Sequence, residues 1–195
     1  MKMKRIFDIF LSGLGILFLG WLIVLAWLLA SLDTKANGFF WQHRVGKNGR
    51  IFTVIKIRTM RVKSDMNSTV TTAFDSRITR LGRFWRRTKI DELPQLINVF
   101  LGHMSFVGPR PDVPGFADKL NGLDRLILTV RPGITGPATL KYRDEETLLA
   151  SQSDPERYNR EVIWPDKVRI NLEYICNWSF TKDLYYIFKT IVDRS

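Results

Sequence analysis

The chain has 195 residues, enough for one domain with a real core plus a terminal anchor, and short for two domains. Its single cysteine, Cys176, excludes an intrachain disulfide, and two distant histidines without a cysteine cluster disfavour structural zinc. The net charge of +11 is concentrated between residues 34 and 90, where 14 Lys and Arg accompany two acids. Such a segment favours an anionic partner: nucleic acid, a phospholipid surface or a phosphorylated substrate.

The first predicted element is an apolar segment, residues 9–32, which has 24 residues and no charge. A helix of that length is long enough to cross a hydrocarbon core of roughly 30 Å. It is also longer than the apolar region of a signal peptide, which is about 7 to 15 residues. We therefore predict two parts: residues 1–33 form a membrane anchor, and residues 34–195 form a domain at the membrane surface.

The orientation of this anchor is the next question. Lys2, Lys4 and Arg5 precede the apolar segment and a strongly basic stretch follows it, so both ends favour the cytoplasm. One straight crossing cannot satisfy both ends, whereas a helix that enters and returns on the same side can. Its bend would need backbone freedom, for example at Gly20, and a donor such as Ser12 for a freed carbonyl.

A β-hairpin is predicted after the anchor, in the stretch "GFFWQHRVGKNGRIFTVIKIRTM". Asn48 and Gly49 are suited to the positive φ angles of its turn. Alternation along the second strand places Lys56 and Arg58 side by side on one face. They are either scattered charges on a solvated edge or part of an anion site. The polar residues 62–74 that follow are predicted to form a mobile loop.

The stretch "RITRLGRFWRRTK" has apolar residues at helical spacing and arginines over the remaining surface. We predict a helix that begins after a cap at Asp75 or Ser76. The pattern is typical of a helix at a membrane interface, with Trp85 at headgroup depth. The alternative is an amphipathic helix that packs on its own domain.

Two adjacent carboxylates, Asp91 and Glu92, are predicted at the N-terminal end of the next helix. Pro94 is tolerated in a first turn, and Gly102 is predicted to end the helix. Free backbone donors and the helix dipole attract anions at such an end. Each acid is therefore either a helix cap or part of a site that binds a phosphorylated ligand.

Two later turns each hold an arginine next to a proline, Arg110 in "VGPRPD" and Arg131 in "VRPGITG". A guanidinium on a rigid turn loses less entropy when it binds phosphate with two hydrogen bonds. For each arginine a structural salt bridge is the alternative. A last helix, capped by Ser179, is predicted either to close the core or to lie at the membrane interface.

Three stretches, in this order after an apolar segment, carry a resemblance: "VGKNGRIFTVIKIRTM", "RITRLGRFWRRTKIDELPQLINVFLGHMSFVGPRPD" and "VRPGITG". They resemble the bacterial sugar transferase family of small monotopic phosphoglycosyl transferases, over almost the whole chain. The resemblance implies an α+β, mainly helical fold. It would have an N-terminal re-entrant membrane helix, a short β-hairpin and interfacial amphipathic helices around a compact catalytic domain.

The resemblance also implies an activity and its partners. The family moves a sugar 1-phosphate from a UDP-sugar to undecaprenyl phosphate, releases UMP and starts a surface glycan. The implied place is the bacterial inner membrane, with residues 34–195 on the cytoplasmic face against inner-leaflet phospholipids. By resemblance, Asp91 attacks the β-phosphorus to give an aspartyl phosphosugar, and Glu92 binds Mg²⁺.

The residues themselves agree with these implied roles. A helix N-terminus with nearby arginines is expected to lower the pKa of the Asp91 carboxyl, which keeps it ionised as a nucleophile. Phosphoryl transfer needs positive charge around the phosphates. The residues predicted to supply it are Lys56, Arg58, Arg86, Arg110 and Arg131.

The chain departs from the family pattern at the anchor and leaves two rival functions. Relatives bend their membrane helix at a Ser-Pro pair, and here Gly20 and Trp21 stand at the corresponding place. One rival is a membrane-tethered nucleic-acid-binding protein, which leaves the adjacent carboxylates unexplained. The other is an adaptor without catalysis, which predicts full function after replacement of Asp91. We therefore expect an enzyme and no nucleic-acid partner.

Overall fold

A computed structural model describes residues 2–62 and 75–193, so the predicted mobile loop lies outside the described residues except for Val62. The fold is mainly helical with one antiparallel hairpin, as predicted. Its helices are α1 (Lys2–Thr34), α2 (Arg80–Thr88), α3 (Gln95–Leu101), α4 (Pro137–Lys141), α5 (Glu145–Ala150), α6 (Pro155–Tyr158), α7 (Trp164–Cys176) and α8 (Phe180–Val192). Its strands are β1 (Phe39–Val45), β2 (Ile51–Ile57), β3 (Ser105–Val107) and β4 (Gly133–Thr135).

Helix α1 contains the apolar segment and has two different faces. Buried residues recur along one face from Asp8 to Thr34, and large apolar side chains stay exposed on the other. The helix is long and apolar enough to cross a membrane by length and composition. It continues without a break through Gly20 and Trp21, and Ser12 donates to the Asp8 carbonyl within the intact helix. Re-entrance therefore stays a prediction.

Both ends of α1 contact the same globular body. Near its start, Lys4 Nζ lies 2.5 Å from Asp183 Oδ2 of α8. Near its end, Ala30 packs in a buried cluster with Ile57 of β2 and Trp85 of α2. Since one face of α1 is buried along its length, the helix adds to the core of the domain. The predicted boundary at residue 33 stays a prediction.

The hairpin forms as predicted. Its register pairs Phe39 with Ile57 and Val45 with Ile51. Asn48 and Gly49 have φ angles of 58° and 77°, which confirms the predicted turn residues. A five-residue connection, residues 46–50, replaces a tight two-residue turn.

Asn98 of α3 fixes the free edge of β2. Its Oδ1 accepts from the Ile55 amide at 3.1 Å, and its Nδ2 donates to the Thr53 carbonyl at 2.7 Å. A strand edge otherwise leaves such groups without a partner. These two hydrogen bonds fix the position of β2 relative to α3.

Helix α2 differs from the prediction at its start. It begins at Arg80 with Thr79 as its cap, and Thr79 Oγ1 accepts from the Gly82 amide at 2.8 Å. The predicted cap was wrong, because Asp75 instead accepts hydrogen bonds from Arg77. Trp85 is only 5% exposed and packs in the core, which favours the alternative of a helix packed on its own domain, and its depth in a membrane stays a prediction. Small side chains on α1 leave room for the indole ring.

A short parallel pair, β3 with β4, brings the two proline-arginine turns together. The register pairs Ser105 with Gly133 and Val107 with Thr135. A Cβ on Gly133 would lie 2.2 Å from the Gly108 amide nitrogen, so only glycine permits this approach. The glycines in "VGPRPD" and "VRPGITG" thus serve backbone packing and fix the start of the Arg110 turn.

Candidate active site

The adjacent carboxylates lie in a tight turn between α2 and α3. Lys89 ends α2 in the left-handed region at φ 59°, which reverses the chain into a 3-10 turn, Ile90–Glu92. Pro94 follows in helical conformation as the cap of α3, and Gly102 ends α3, as predicted. Asp91 and Glu92 therefore sit at the N-terminal end of α3 on a constrained backbone.

Glu92 is held by two cations from different parts of the chain. Its Oε1 accepts from Arg110 Nη2 at 2.9 Å and from Lys56 Nζ at 3.3 Å. Burial opposes ionisation of Glu92, but the charges of Arg110 and Lys56 outweigh burial and hold its pKa well below the usual range. The charge of Glu92 in turn raises the pKa of Arg110. Glu92 is therefore ionised at neutral pH.

Asp91 has the opposite electrostatic character. Burial first, and the charge of Glu92 second, raise the pKa of Asp91 to about 6, against the charges of Lys56, Lys89 and Arg86. The expected lowering of this pKa was therefore wrong, because the loss of water outweighs the helix end and the nearby cations. Asp91 Oδ1 is buried and has no hydrogen-bond partner among the described residues.

Arg86 lies at the rim of this pair. Its Nη1 donates to Glu146 Oε1 and Oε2 at 3.0 and 2.9 Å, and its Nε donates to Thr59 Oγ1 at 3.2 Å. Its charge still reaches Asp91, where it acts to lower the pKa. An incoming phosphate would compete with Glu146 for this guanidinium.

The other two predicted cations lie elsewhere. Arg58 lies on the Lys56 face of the hairpin, because its guanidinium carbon is 5.7 Å from the ring centre of Phe40, which pairs with Lys56. Its Nε donates to the Asn37 carbonyl at 2.7 Å rather than to the carboxylate pair. Arg131 Nε donates to the Gly102 carbonyl at 2.8 Å, at the far end of α3. The structure gathers Asp91, Glu92, Lys56 and Arg110, with Arg86 on the rim. Phosphate binding by the five cations stays a prediction.

Comparison with known proteins decides the family. The sequence model described as bacterial sugar transferase matches residues 1–194. The chain belongs to the bacterial sugar transferase family.

Relatives of this bacterial sugar transferase differ in length. The chain is 39% identical over 196 residues to an undecaprenyl-phosphate glucose phosphotransferase of Komagataeibacter xylinus, and the aligned region covers 96% of this chain and 35% of the relative. It is 37% identical over 200 residues to exopolysaccharide production protein PSS of Rhizobium leguminosarum bv. phaseoli, covering 98% and 94%. It is 35% identical over 194 residues to a UDP-glucose:undecaprenyl-phosphate glucose-1-phosphate transferase of Escherichia coli, covering 97% and 39%. The chain thus spans well under half of two of these relatives.

Three supporting residues of this bacterial sugar transferase escaped the sequence prediction. Asn98 is 1% exposed and sets β2, and with it Lys56, above α3. Thr59 and Glu146 position Arg86. A glycine inside a helical pattern, such as Gly82, indicates close approach of another part of the backbone. In the structure that part is Thr59, whose carbonyl oxygen would lie 2.1 Å from a Cβ on Gly82. Glu146 carried no signal.

The donor set can be tested against the predicted Mg²⁺. In the part of the chain that the structure describes, no three His, Cys, Asp or Glu side chains form a metal-binding group. Mg²⁺ usually binds one or two carboxylates and completes its shell with substrate phosphates and water. Both hydrogen bonds to Glu92 fall on Oε1, so Oε2 suits a cation. Glu92 together with a diphosphate thus fits Mg²⁺, whereas a closed protein site does not.

Proposed function

We propose that this bacterial sugar transferase is a phosphoglycosyl transferase. It moves a sugar 1-phosphate from a UDP-sugar to undecaprenyl phosphate, releases UMP and starts a surface glycan. The observation that carries the proposal is the contrast within the pair. Asp91 is buried and its Oδ1 has no hydrogen-bond partner in the described part of the chain, whereas two cations keep the neighbouring Glu92 ionised. The names of the relatives from Komagataeibacter xylinus and Escherichia coli support the acceptor and the transferred group.

The first chemical step belongs to Asp91. One of its carboxylate oxygens attacks the β-phosphorus of the UDP-sugar, and the bond from that phosphorus to the bridging oxygen breaks. The electron pair leaves with UMP, and an acyl phosphate joins Asp91 to the sugar. A buried carboxylate is poorly hydrated, so it loses little solvation when it attacks.

The second step restores the enzyme. A phosphate oxygen of undecaprenyl phosphate attacks the same phosphorus, and the bond to Asp91 breaks with the electron pair returning to the carboxylate. Lys56, Arg110 and Arg86 lie near enough to balance the charge of the phosphoryl oxygens. Mg²⁺ bound through Glu92 would neutralise the diphosphate and stabilise the departing UMP.

Measurement of UMP release tests the activity. The full chain in detergent is supplied with undecaprenyl phosphate, Mg²⁺ and a panel that includes UDP-glucose, UDP-galactose and UDP-N-acetylgalactosamine. We expect UMP release with at least one of these UDP-sugars. Under multiple-turnover conditions the release should require both the enzyme and undecaprenyl phosphate. Folded protein that releases no UMP from any donor would overturn the enzyme proposal.

The acid side of the pH profile follows from Asp91. Its pKa is raised to about 6, so the reactive carboxylate is lost as the pH falls through 6. We expect kcat/KM for UMP release, measured with limiting UDP-sugar at constant ionic strength, to fall about tenfold for each pH unit below 6. Replacement of the exposed Asp124 with asparagine should leave this profile unchanged. A profile that stays flat down to pH 4.5 would contradict the raised pKa.

We also propose that α1 is re-entrant in the inner membrane and that the domain lies on the cytoplasmic face. Contacts of both helix ends with one body support this, through Lys4 and Asp183 at the start and Ala30 and Trp85 at the end. A straight crossing would have to break one set of contacts, since the two ends would face opposite sides of the bilayer.

Cysteine accessibility tests this topology. Cys176 is replaced with serine, and single cysteines are placed at Lys2 and Lys35 on the two sides of the apolar segment. In intact cells we expect a membrane-impermeant maleimide to label neither position, and in permeabilised cells both. Labelling of one position in intact cells would show a spanning helix.

A further inference from the structure

A groove of about 620 Å³ lies at the end of the domain away from the carboxylate pair. We call it the hairpin groove: it runs between the edge of β2 and the C-terminal end of α3. Its apolar wall includes Trp41, Ile51, Phe52, Ile55 and Leu101. Trp41, Ile51 and Leu101 are exposed by 52%, 51% and 60%, an unusual concentration of large apolar side chains.

The polar side of the hairpin groove is cationic. Lys47 and Arg50 from the hairpin connection and Arg131 from the turn before β4 line it, together with the exposed His103. None of the described residues that line the groove is acidic. A cavity with an apolar wall and several cations is complementary to an anionic amphiphile.

The hairpin groove is continuous with the apolar helix at both of its ends. At one end, Arg5 of α1 reaches Gly102, which lines the groove. Arg5 Nη2 would lie 3.1 Å from a Cβ built on Gly102. At the other end, Trp41 contacts Phe39 with ring centres 6.2 Å apart, and Phe39 stacks on Trp27 of α1 at 5.9 Å. A bilayer around the exposed face of α1 would therefore have its boundary at this groove.

The groove is separate from the reacting groups. Helix α3 has 7 residues, so its two ends are about 10 Å apart. Glu92 lies at the N-terminal end under Lys56, whereas Leu101 and Gly102 lie at the other end. An acceptor phosphate bound in the groove would be out of reach of Asp91.

We propose that the hairpin groove is a binding site for an anionic phospholipid of the surrounding bilayer. The phosphate lies among Lys47, Arg50 and Arg131, and an acyl chain packs along Trp41 and Leu101. Bound lipid holds the hairpin connection at the membrane surface and fixes the height of the domain. This site goes beyond the proposed reaction, since the lipid is not consumed.

Photo-crosslinking of lipid to the full chain tests the site. The protein is placed in phosphatidylcholine nanodiscs with a trace of phosphatidylglycerol that carries a diazirine on an acyl chain, and crosslinked peptides are mapped by mass spectrometry. We expect crosslinks at Trp41, Ile51 or Leu101. The double variant Lys47→Gln, Arg50→Gln should reduce them by roughly tenfold to thirtyfold, since two cations that face the phosphate of the anionic lipid are lost.

Matched controls separate this site from its alternatives. The variant Arg157→Gln, Arg160→Gln removes the same charge from an exposed part of the chain and should keep the crosslinks. The Lys47, Arg50 variant should keep its thermal unfolding and its UMP release in detergent. Equal crosslinking by a phosphatidylcholine probe, absence of groove crosslinks, or their displacement by excess undecaprenyl phosphate would each overturn the proposal.

Discussion

Replacement of Asp91 with asparagine is expected to abolish UMP release, with a fall of roughly a thousandfold or more. The amide has nearly the same shape but no nucleophilic oxygen with a full charge, so the acyl phosphate cannot form. Mass spectrometry of wild-type protein trapped with UDP-sugar alone should show a phosphosugar on Asp91, and the variant should show none. Turnover by the variant, or a label on another residue, would refute the assignment.

The same variant is expected to be more stable than the wild type at pH 8. The rise of the Asp91 pKa from 3.8 to about 6 means that the folded protein binds a proton more readily than the unfolded chain. Above pH 6 the ionised buried carboxylate therefore costs about 3 kcal/mol of folding free energy. The cost shrinks as the pH falls from 6 towards 3.8 and disappears below about pH 3, where Asp91 is protonated in both states.

Thermal unfolding in the presence of a chelator, at pH 8 and at pH 4, measures this difference. We expect the melting temperature of Asp91→Asn to be higher than that of the wild type at pH 8. At pH 4 the two melting temperatures should be nearly equal. Asp124→Asn, an exposed carboxylate in a 3-10 segment, serves as the control and should change neither value. A destabilised Asp91→Asn at pH 8 would show that the carboxylate makes a favourable contact in the fold.

Local chemistry made part of the site predictable. A proline in a first turn and a glycine at a helix end placed Asp91 and Glu92 at the start of α3. A guanidinium between two prolines identified Arg110 as a fixed cation, which the structure pairs with Glu92. These signals depend on a few neighbouring residues and on backbone preferences that the tertiary structure did not change.

The parts that local patterns could not decide depend on long-range packing. The sign of the Asp91 pKa shift is set by burial, and no local pattern reports how much water a side chain loses. Trp85 has the spacing of an interfacial residue, but small residues on α1, 55 or more positions earlier in the chain, receive it in the core. Arg131 shares its proline-fixed setting with Arg110, yet the parallel pairing of β3 with β4 directs it to Gly102. Equal local motifs thus acquire unequal roles.

Replacement of Glu92 with glutamine should give a different pattern from the loss of the nucleophile. UMP release should fall by roughly a hundredfold, and the Mg²⁺ concentration for half-maximal rate should rise at least tenfold, because the amide binds the cation weakly. Removal of the charge leaves Arg110 and Lys56 without their buried partner, so the free energy of unfolding should fall by about 3 kcal/mol. Asp91 keeps its carboxylate, so residual turnover should persist.

The pH dependence of this residual turnover shows whether Glu92 also tunes the pKa of Asp91. The charge of Glu92 is one of the causes that raise the pKa of Asp91, so its removal should move the acid limb of kcat/KM from about 6 to a lower pH. Glu161→Gln, which removes a carboxylate from an exposed ion pair with Arg157, is the control and should shift neither the limb nor the Mg²⁺ dependence. An acid limb that stays in place, with an unchanged Mg²⁺ requirement, would mean that Glu92 acts on neither the metal nor its neighbour. A limb that moves down while the Mg²⁺ requirement rises would separate the two roles of one carboxylate: binding the cation and tuning the nucleophile beside it.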